Sequence, residues 1–219
     1  CFSEGADKTT LEERLDYFVS KGCKIADHGF DDFSDTQNIE WLIEKCFEKG
    51  VVLQLHFGTF RNVNTAAFNK IGKDSGFDVF RASVDTDALA RLLDKMYTKL
   101  GGLPKIILYP LNDECLRAVC AISGAFPNVI VGAAWWFNDT VSGIKRQLET
   151  VSEYAVLGTN LGMLTDSRSF SSYVRFDFYR RILSSFIADK VDHGEYDEKS
   201  ALALAKDIAY NNVKEVLGL

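Results

Sequence analysis

The sequence predicts an α/β protein built from parallel βα units. Helical and strand patterns alternate from one end of the 219 residues to the other, and the strand patterns are almost wholly apolar, which is typical of a parallel sheet covered by helices. Five strands are predicted, at 23–27, 51–55, 105–109, 129–136 and 161–165. A closed barrel of this kind needs eight strands and about 250 residues. The pattern therefore predicts either an open doubly wound sheet or the later part of a barrel whose beginning is missing.

The helices are predicted from caps and apolar periodicity. Thr10 and Glu13 have the spacing of a capping box and predict a helix over 10–21. A five-residue apolar face at i, i+3, i+4, i+7 and i+8 predicts the next one, formed by Ile39, Leu42, Ile43, Cys46 and Phe47. Similar patterns predict helices at 89–100, 116–120, 144–151, 170–191 and 200–216. Residues 61–81 have no clear period and predict a long loop, of a length that is usually functional or disordered.

Composition excludes several classes of protein. Hydrophobic residues make up 47% and charged residues 26%, which is ordinary for a globular chain. A net charge of -6 disfavours a nucleic-acid partner and an anionic membrane surface, and no apolar run is long enough to span a bilayer. The length of 219 residues suggests one domain or two small ones, and we expect a single domain over 1–219. The five cysteines form no CxxC pair, so we expect a reducing, cytoplasmic environment.

Polar residues with chemical potential follow the predicted strands. Because the carboxyl ends of parallel strands build the active sites of α/β proteins, this placement points to a site. The residues concerned are Asp27 and His28, His56, Asn112 and Asp113, the run from Trp135 to Asp139, and the run from Asp166 to Arg168.

Each of these residues also has a structural interpretation. Asp27 and Asp166 are equally suited to capping a helix, and His56 to a hydrogen bond in a core. Trp135 and Trp136 would point to opposite faces of a continued strand, one into the core and one into a site. Arg61 and Arg168 follow strand ends and suit a carboxylate or phosphate ligand, although weak surface ion pairs are common. Nucleotide-binding and serine-hydrolase motifs are absent from the sequence.

Several segments resemble motifs of the uronate (glucuronate) isomerases. The similarity covers nearly the whole chain and is most specific in three runs: Gln54-Leu55-His56-Phe57-Gly58 continuing to Arg61-Asn62-Val63-Asn64, Trp135-Trp136-Phe137-Asn138-Asp139, and Gly162-Met163-Leu164-Thr165-Asp166-Ser167-Arg168-Ser169-Phe170. That family belongs to the amidohydrolase superfamily. The resemblance implies that this chain forms about five strands of an incomplete, TIM-like (β/α)8 barrel and corresponds to roughly the C-terminal half of a family member.

The resemblance also implies a reaction and roles for residues. The reaction is aldose–ketose isomerisation of D-glucuronate to D-fructuronate, and of D-galacturonate to D-tagaturonate, by proton transfer between C2 and C1. Catalytic roles fall to Asp166, Arg168 and His56, and contact with the uronate to Arg61, Trp135, Trp136 and His28. Asp166 and His56 would bind a divalent metal, expected to be zinc. The family holds this metal with a His-x-His pair that the present sequence lacks, so the ligand set is expected to be incomplete.

Two alternatives stay open. One is a related amidohydrolase that hydrolyses an amide or lactone through metal-bound water. The other is a non-catalytic barrel fragment that associates with itself or with the missing N-terminal half, since an open half-barrel exposes apolar strand edges.

Overall fold

The computed structural model describes residues 7–167 and 169–219. This part of the chain forms two compact units. The first comprises residues 7–115 and 126–129, and the second comprises residues 116–125 and 130–219. The single domain expected over 1–219 stays a prediction.

A four-stranded parallel sheet in the order β1-β2-β5-β6 organises the described chain. Two further short strands, β3 and β4, pair antiparallel to each other. The strands are β1 (Ile25–Phe30), β2 (Val52–Phe57), β3 (Thr59–Phe60), β4 (Val79–Phe80), β5 (Ile106–Pro110) and β6 (Val129–Val131). The predicted α/β class with parallel βα units is thereby confirmed.

Helices separate most of these strands, and the last four described helices follow β6 in succession. They are α1 (Lys8–Ser20), α2 (Gln37–Lys49), α3 (Thr65–Ile71), α4 (Thr86–Leu100), α5 (Leu116–Ala125), α6 (Val141–Tyr154), α7 (Val174–Asp192), α8 (Glu198–Lys206) and α9 (Asn212–Leu217). Single turns of 3₁₀ helix lie at Asp113–Cys115, Trp136–Asn138, Leu157–Thr159 and Phe170–Tyr173, and a π-helical turn joins α8 to α9 at Asp207–Asn211. Among the described residues, no helix has the length and apolar character needed to cross a bilayer.

Each unit has its own apolar core, formed where the sequence periodicity predicts it. In the first unit, α4 begins at the cap Asp85, whose side chain accepts a hydrogen bond from the Ala88 amide, and ends at Gly101 in the left-handed region. Its fully or nearly buried face is Leu89, Leu92, Leu93 and Met96. In the second unit, helix α6 buries Ile144, Leu148 and Val151, and helix α7 buries Ile182, Leu183, Phe186 and Ile187.

Three local predictions about the helices are wrong. The cap of α1 is Asp7, whose carboxylate accepts hydrogen bonds from the Thr10 amide and hydroxyl, so the proposed Thr10–Glu13 capping box does not form. Phe47, expected on the core face of α2, is 39% exposed. The predicted loop over 61–81 contains α3 and β4, which are too short to show a period in the sequence.

The predicted fifth strand at 161–165 does not form. The Gly162 backbone adopts φ +76°, and its amide donates to the Asn160 side chain two residues earlier. A Cβ at Gly162 would lie 2.7 Å from the Ile208 carbonyl oxygen, so this backbone passes against the π-helical turn rather than beside a strand. The fourth predicted strand is also shorter than expected: it ends at Val131, and Trp136 at φ +54° opens a 3₁₀ turn where the strand was predicted to end.

Candidate active site

One face of the sheet in the first unit carries a row of polar side chains. Parallel pairing places Asp27 beside Gln54, and Gly29 beside His56 and then Tyr109. Since side chains alternate along a strand, these residues all project from the same face. The opposite face carries Leu55 and Leu108, which are fully buried.

His56 is fixed on this face by a carboxylate and by a glycine. Its Nδ1 lies 3.2 Å from Asp27 Oδ1. Its ring lies directly over Gly29, where a Cβ would be 2.1 Å from His56 Nε2. Any side chain at position 29 would therefore displace the imidazole. The His56 side chain keeps 15% of its surface exposed to solvent.

A second polar pair stands on the same face. The Tyr109 hydroxyl donates a 2.7 Å hydrogen bond to Gln54 Oε1. Burial, together with the negative charge of Asp27, raises the pKa of Tyr109 above its usual range. Tyr109 is therefore a neutral hydrogen-bond donor here, and it aligns Gln54 beside the Asp27–His56 pair.

The structure does not bring His28 to this face. It follows Asp27 in β1 and so projects from the other side of the strand, where its ring stacks with that of Phe30 at a centroid distance of 6.4 Å. Burial lowers the pKa of His28, and the neighbouring His56 acts in the same direction.

Arg61 lies in the excursion that follows β2, which we call the flap (residues 58–81). Its Nη1 is 2.9 Å from Asp78 Oδ2, and the other carboxylate oxygen of Asp78 accepts the Asn62 amide at 2.8 Å. The flap begins and ends on the β3–β4 pair, in which Thr59 pairs with Phe80 and Phe60 with Val79.

Arg81 joins the flap to the ends of two other strands. Its amide donates to the Gly58 carbonyl, and its own carbonyl accepts from the buried Asn112 side chain after β5. Its guanidinium contacts Asp32, beyond the end of β1, at 3.2 Å. The loops that follow β1, β2 and β5 are therefore tied together by one residue.

The tryptophan motif in the second unit forms the entry to α6. Trp135 is buried, whereas Trp136 is half-buried and stacks on Phe137 with 4.7 Å between centroids. Asp139 forms an ion pair with Arg175 of α7. A Cβ at Gly143 would lie 2.1 Å from the Asn138 carbonyl oxygen, so α6 starts in close contact with the motif.

Asp166 lies in an irregular segment of the second unit. It is exposed, adopts φ +46° and lines an open pocket of about 350 Å³ together with Thr165, Ser167, Phe170 and Tyr173. Asn212 binds the start of this segment, because its side-chain amide donates to the Gly158 and Asn160 carbonyls. Arg168, predicted to be catalytic, lies outside the described residues.

Among the described residues, the potential metal ligands near His56 are too few for a complete zinc site. Protein zinc sites use three or four His, Cys, Asp or Glu ligands. In the part of the chain that the structure describes, no three such side chains lie close enough to hold an ion. His56 and Asp27 offer one imidazole and one carboxylate, which do not by themselves form a zinc site.

Several residues of this arrangement have no signal in the sequence. Gly29, Asp78 and Arg81 act through partners that are distant along the chain, so neither periodicity nor strand-end position could identify them. Asn112 was predicted from its place after a strand, and its buried side chain accepts the Glu114 amide in the 3₁₀ turn that follows.

Known proteins resemble this chain over most of its length. The sequence model of the glucuronate isomerase family matches residues 32–217. The uronate isomerase of Caldanaerobacter subterraneus is 36% identical over 95% of this chain and 53% of its own length. That of Staphylococcus haemolyticus is 38% identical over 92% of this chain and 52% of its own length.

Solved structures agree with the sequence comparison. The crystal structure of the Thermotoga maritima uronate isomerase superposes with a TM-score of 0.87 at 28% identity, covering 95% of this chain and 52% of that one. The Caulobacter crescentus glucuronate isomerase gives 0.85 at 28% identity, over 96% and 50%. The chain spans about half the length of the curated relatives it matches, and it belongs to the glucuronate isomerase family.

Proposed function

We propose that this chain supplies part of the active site of a uronate isomerase, which interconverts D-glucuronate with D-fructuronate and D-galacturonate with D-tagaturonate. The observation that supports this most is the Asp27–His56 pair, seated on Gly29 at the polar face of the sheet, in a chain of this family. The reaction needs a base beside the sugar, a cation for its carboxylate and a way to stabilise the enediolate.

The reaction moves one proton between neighbouring carbons. A base removes the proton from C2 of the open-chain aldehyde, the electron pair forms a C1–C2 double bond, and negative charge develops on O1. Returning the proton to C1 and transferring the O2 proton to O1 turns C2 into the carbonyl carbon and gives the ketose. Because charge develops on oxygen, cationic donors held in place lower the barrier.

His56 has the setting of a group that holds or moves a proton. Asp27 beside Nδ1 favours a proton on that nitrogen, which leaves Nε2 as the acceptor. Gly29 leaves room for the Nε2 edge of the ring, which a side chain at that position would displace. We propose that His56 exchanges a proton with the sugar or its hydroxyl groups.

Arg61 suits the carboxylate of the uronate. A guanidinium presents five N–H donors in a planar fork, and this side chain is 40% exposed, so a dissolved carboxylate can reach it. We propose that Arg61 binds the substrate carboxylate and that Arg168 stabilises the developing enediolate.

We propose roles for Asp166 and the two tryptophans as well. Asp166, exposed in its pocket, is the proposed base at C2. Trp136 is half-buried and suits contact with a sugar, whereas Trp135 is buried and would support it. The predicted substrate contact of His28 has no support from its position, because it projects from the opposite side of β1 to Asp27.

The proposed partner is the half of a family member that this chain does not cover. We propose that an N-terminal half completes the barrel, together with the ligands of a divalent metal that His56 and Asp166 would join. The described cysteines are all free thiols, which suits the cytoplasm as the expected location.

The test is to co-express this chain with the N-terminal half of the Caldanaerobacter subterraneus uronate isomerase and to purify the complex. We expect D-fructuronate to form from D-glucuronate, followed by NMR with and without added zinc. A His56→Ala complex is the matched control and should give none. A purified complex that is inactive on both uronates would contradict the proposal, and hydrolysis of a lactone instead would favour the hydrolytic alternative.

A further inference from the structure

The carboxylate of Asp78 in the first unit is nearly buried and has a partner at each oxygen. Its side chain is only 9% exposed. A buried carboxylate is costly unless both oxygens are paired, and here both are, one with Arg61 Nη1 at 2.9 Å and the other with the Asn62 amide at 2.8 Å. Asp78 therefore holds the side chain of one residue and the backbone of the next.

The backbone around this carboxylate is fixed as well. Asn62 adopts φ +53°, the left-handed conformation in which its amide reaches Asp78. The Val63 amide donates to the Phe77 carbonyl at 2.8 Å, directly beside this contact. Arg61 and Asp78 thus face each other across the two sides of the flap, just beyond the β3–β4 pairing.

This arrangement differs from an ordinary surface ion pair. Arg181 and Asp177 in α7, for comparison, are 79% and 58% exposed, and such pairs have little effect on orientation or stability. The Arg61–Asp78 pair joins an exposed guanidinium to a nearly buried carboxylate. A cation in this setting loses little conformational entropy when it binds a second anion, since one edge is already held.

We propose that Asp78 is a positioning residue for the isomerase site: its carboxylate holds the Arg61 guanidinium in the orientation that receives the carboxylate of a uronate. This inference rests on the proposed function. Asp78 does not touch the sugar, and its effect is exerted on substrate binding through Arg61.

Two substitutions isolate this role. Asp78→Asn keeps an oxygen that can accept the Asn62 amide but removes the charge that pairs with Arg61. Asp177→Asn makes the same chemical change in the exposed pair of α7 and is the matched control. Both variants are compared in the complex described above and in this chain alone, after circular dichroism has shown that each is folded.

The first readout is the split between KM and kcat in the complex. Asp78→Asn should raise the KM for D-glucuronate about ten-fold, the equivalent of one lost charge-assisted hydrogen bond, and change kcat less than about two-fold. The control should change neither. An unchanged or lower KM in an active complex would overturn the proposal, since a carboxylate that merely competes with the substrate would lower it.

The second readout does not depend on activity. Phenylglyoxal modifies arginine, and mass spectrometry of this chain alone reports the rate at Arg61 with Arg91 as the internal reference. Asp78→Asn should accelerate modification of Arg61, and Asp177→Asn should not. If the wild-type complex is inactive, the proposed function fails while this rate still decides whether Asp78 holds Arg61. An equal rate in wild type and Asp78→Asn would overturn that.

Discussion

His56 and Asp166 were both predicted from the ends of strands, yet only His56 lies in one. His56 is placed by the parallel register of β1, β2 and β5, by Asp27 and by the absence of a side chain at Gly29. Asp166 lies in an irregular segment placed by left-handed backbone at Gly162, by Asn160 and by the Asn212 side chain. The first position follows from strand pairing, and the second from turn geometry and side-chain amides.

The largest effect on activity is expected at Asp166, the proposed base in the irregular segment. Asp166→Asn in the complex should lower kcat by about 10²–10⁴-fold, the range for loss of a general base. Its stability should change by less than about 0.5 kcal/mol, because the side chain is exposed and Asn tolerates a positive φ. Initial rates and urea unfolding measure the two. Near-normal turnover would remove Asp166 from the mechanism.

The next-largest effect is expected when the position of His56 in β2 is disturbed. Gly29→Ala should lower the free energy of unfolding by about 1–3 kcal/mol, the range typical of overpacking. The cause is that the new Cβ would clash with the His56 ring. Isomerase activity should fall with it as the imidazole shifts.

The matched control is Gly124→Ala in α5, where a Cβ would meet nothing within 4 Å. A helical Gly→Ala change of this kind should stabilise the chain, by about 0.5–1 kcal/mol. If Gly29→Ala behaved like the control, with an unshifted His56 resonance by NMR, the described seating of the ring would be wrong.

The segment before Asp166 should become more mobile when its hydrogen bonds to Asn212 are removed. Asn212→Ala leaves the Gly158 and Asn160 carbonyls without the amide that binds them and should cost about 1–2 kcal/mol. Hydrogen exchange should rise over residues 157–167. Asn211→Ala removes only an exposed bond to Asp207 and is the control. Equal exchange in the two variants would show that Asn212 does not hold the segment.

The smallest effect is a pH dependence at His28. Burial lowers its pKa in the folded chain below the ordinary value of about 6.5. Below that pH the unfolded chain binds a proton that the folded chain refuses, so this contribution to stability is complete above about pH 6.5 and is lost as the pH falls towards the folded pKa. His28→Gln should flatten the loss of stability between about pH 7 and 5, measured by urea unfolding. An identical slope in the variant would contradict this assignment.

Much of the fold could be predicted because the spacing of apolar residues along a helix, and their runs in a strand, reflect which residues are buried. The buried residues of α4 and the apolar strands β2 and β5 were found in this way. The strand at 161–165 was wrongly predicted because its run of apolar residues cannot show that Gly162 is left-handed. Contacts such as Asp78 with Arg61 join residues far apart in sequence and become visible only in three dimensions.

The most direct test of the central claim is deuterium exchange at C2 of D-glucuronate in D2O, followed by NMR with the purified complex. Exchange at C2 is more sensitive than product formation because it reports each proton removal. We expect exchange with the wild-type chain and none above background with His56→Ala or Asp166→Asn. Equal exchange in all three complexes, or none in any, would contradict the claim that this chain carries the proton-transfer residues of a uronate isomerase.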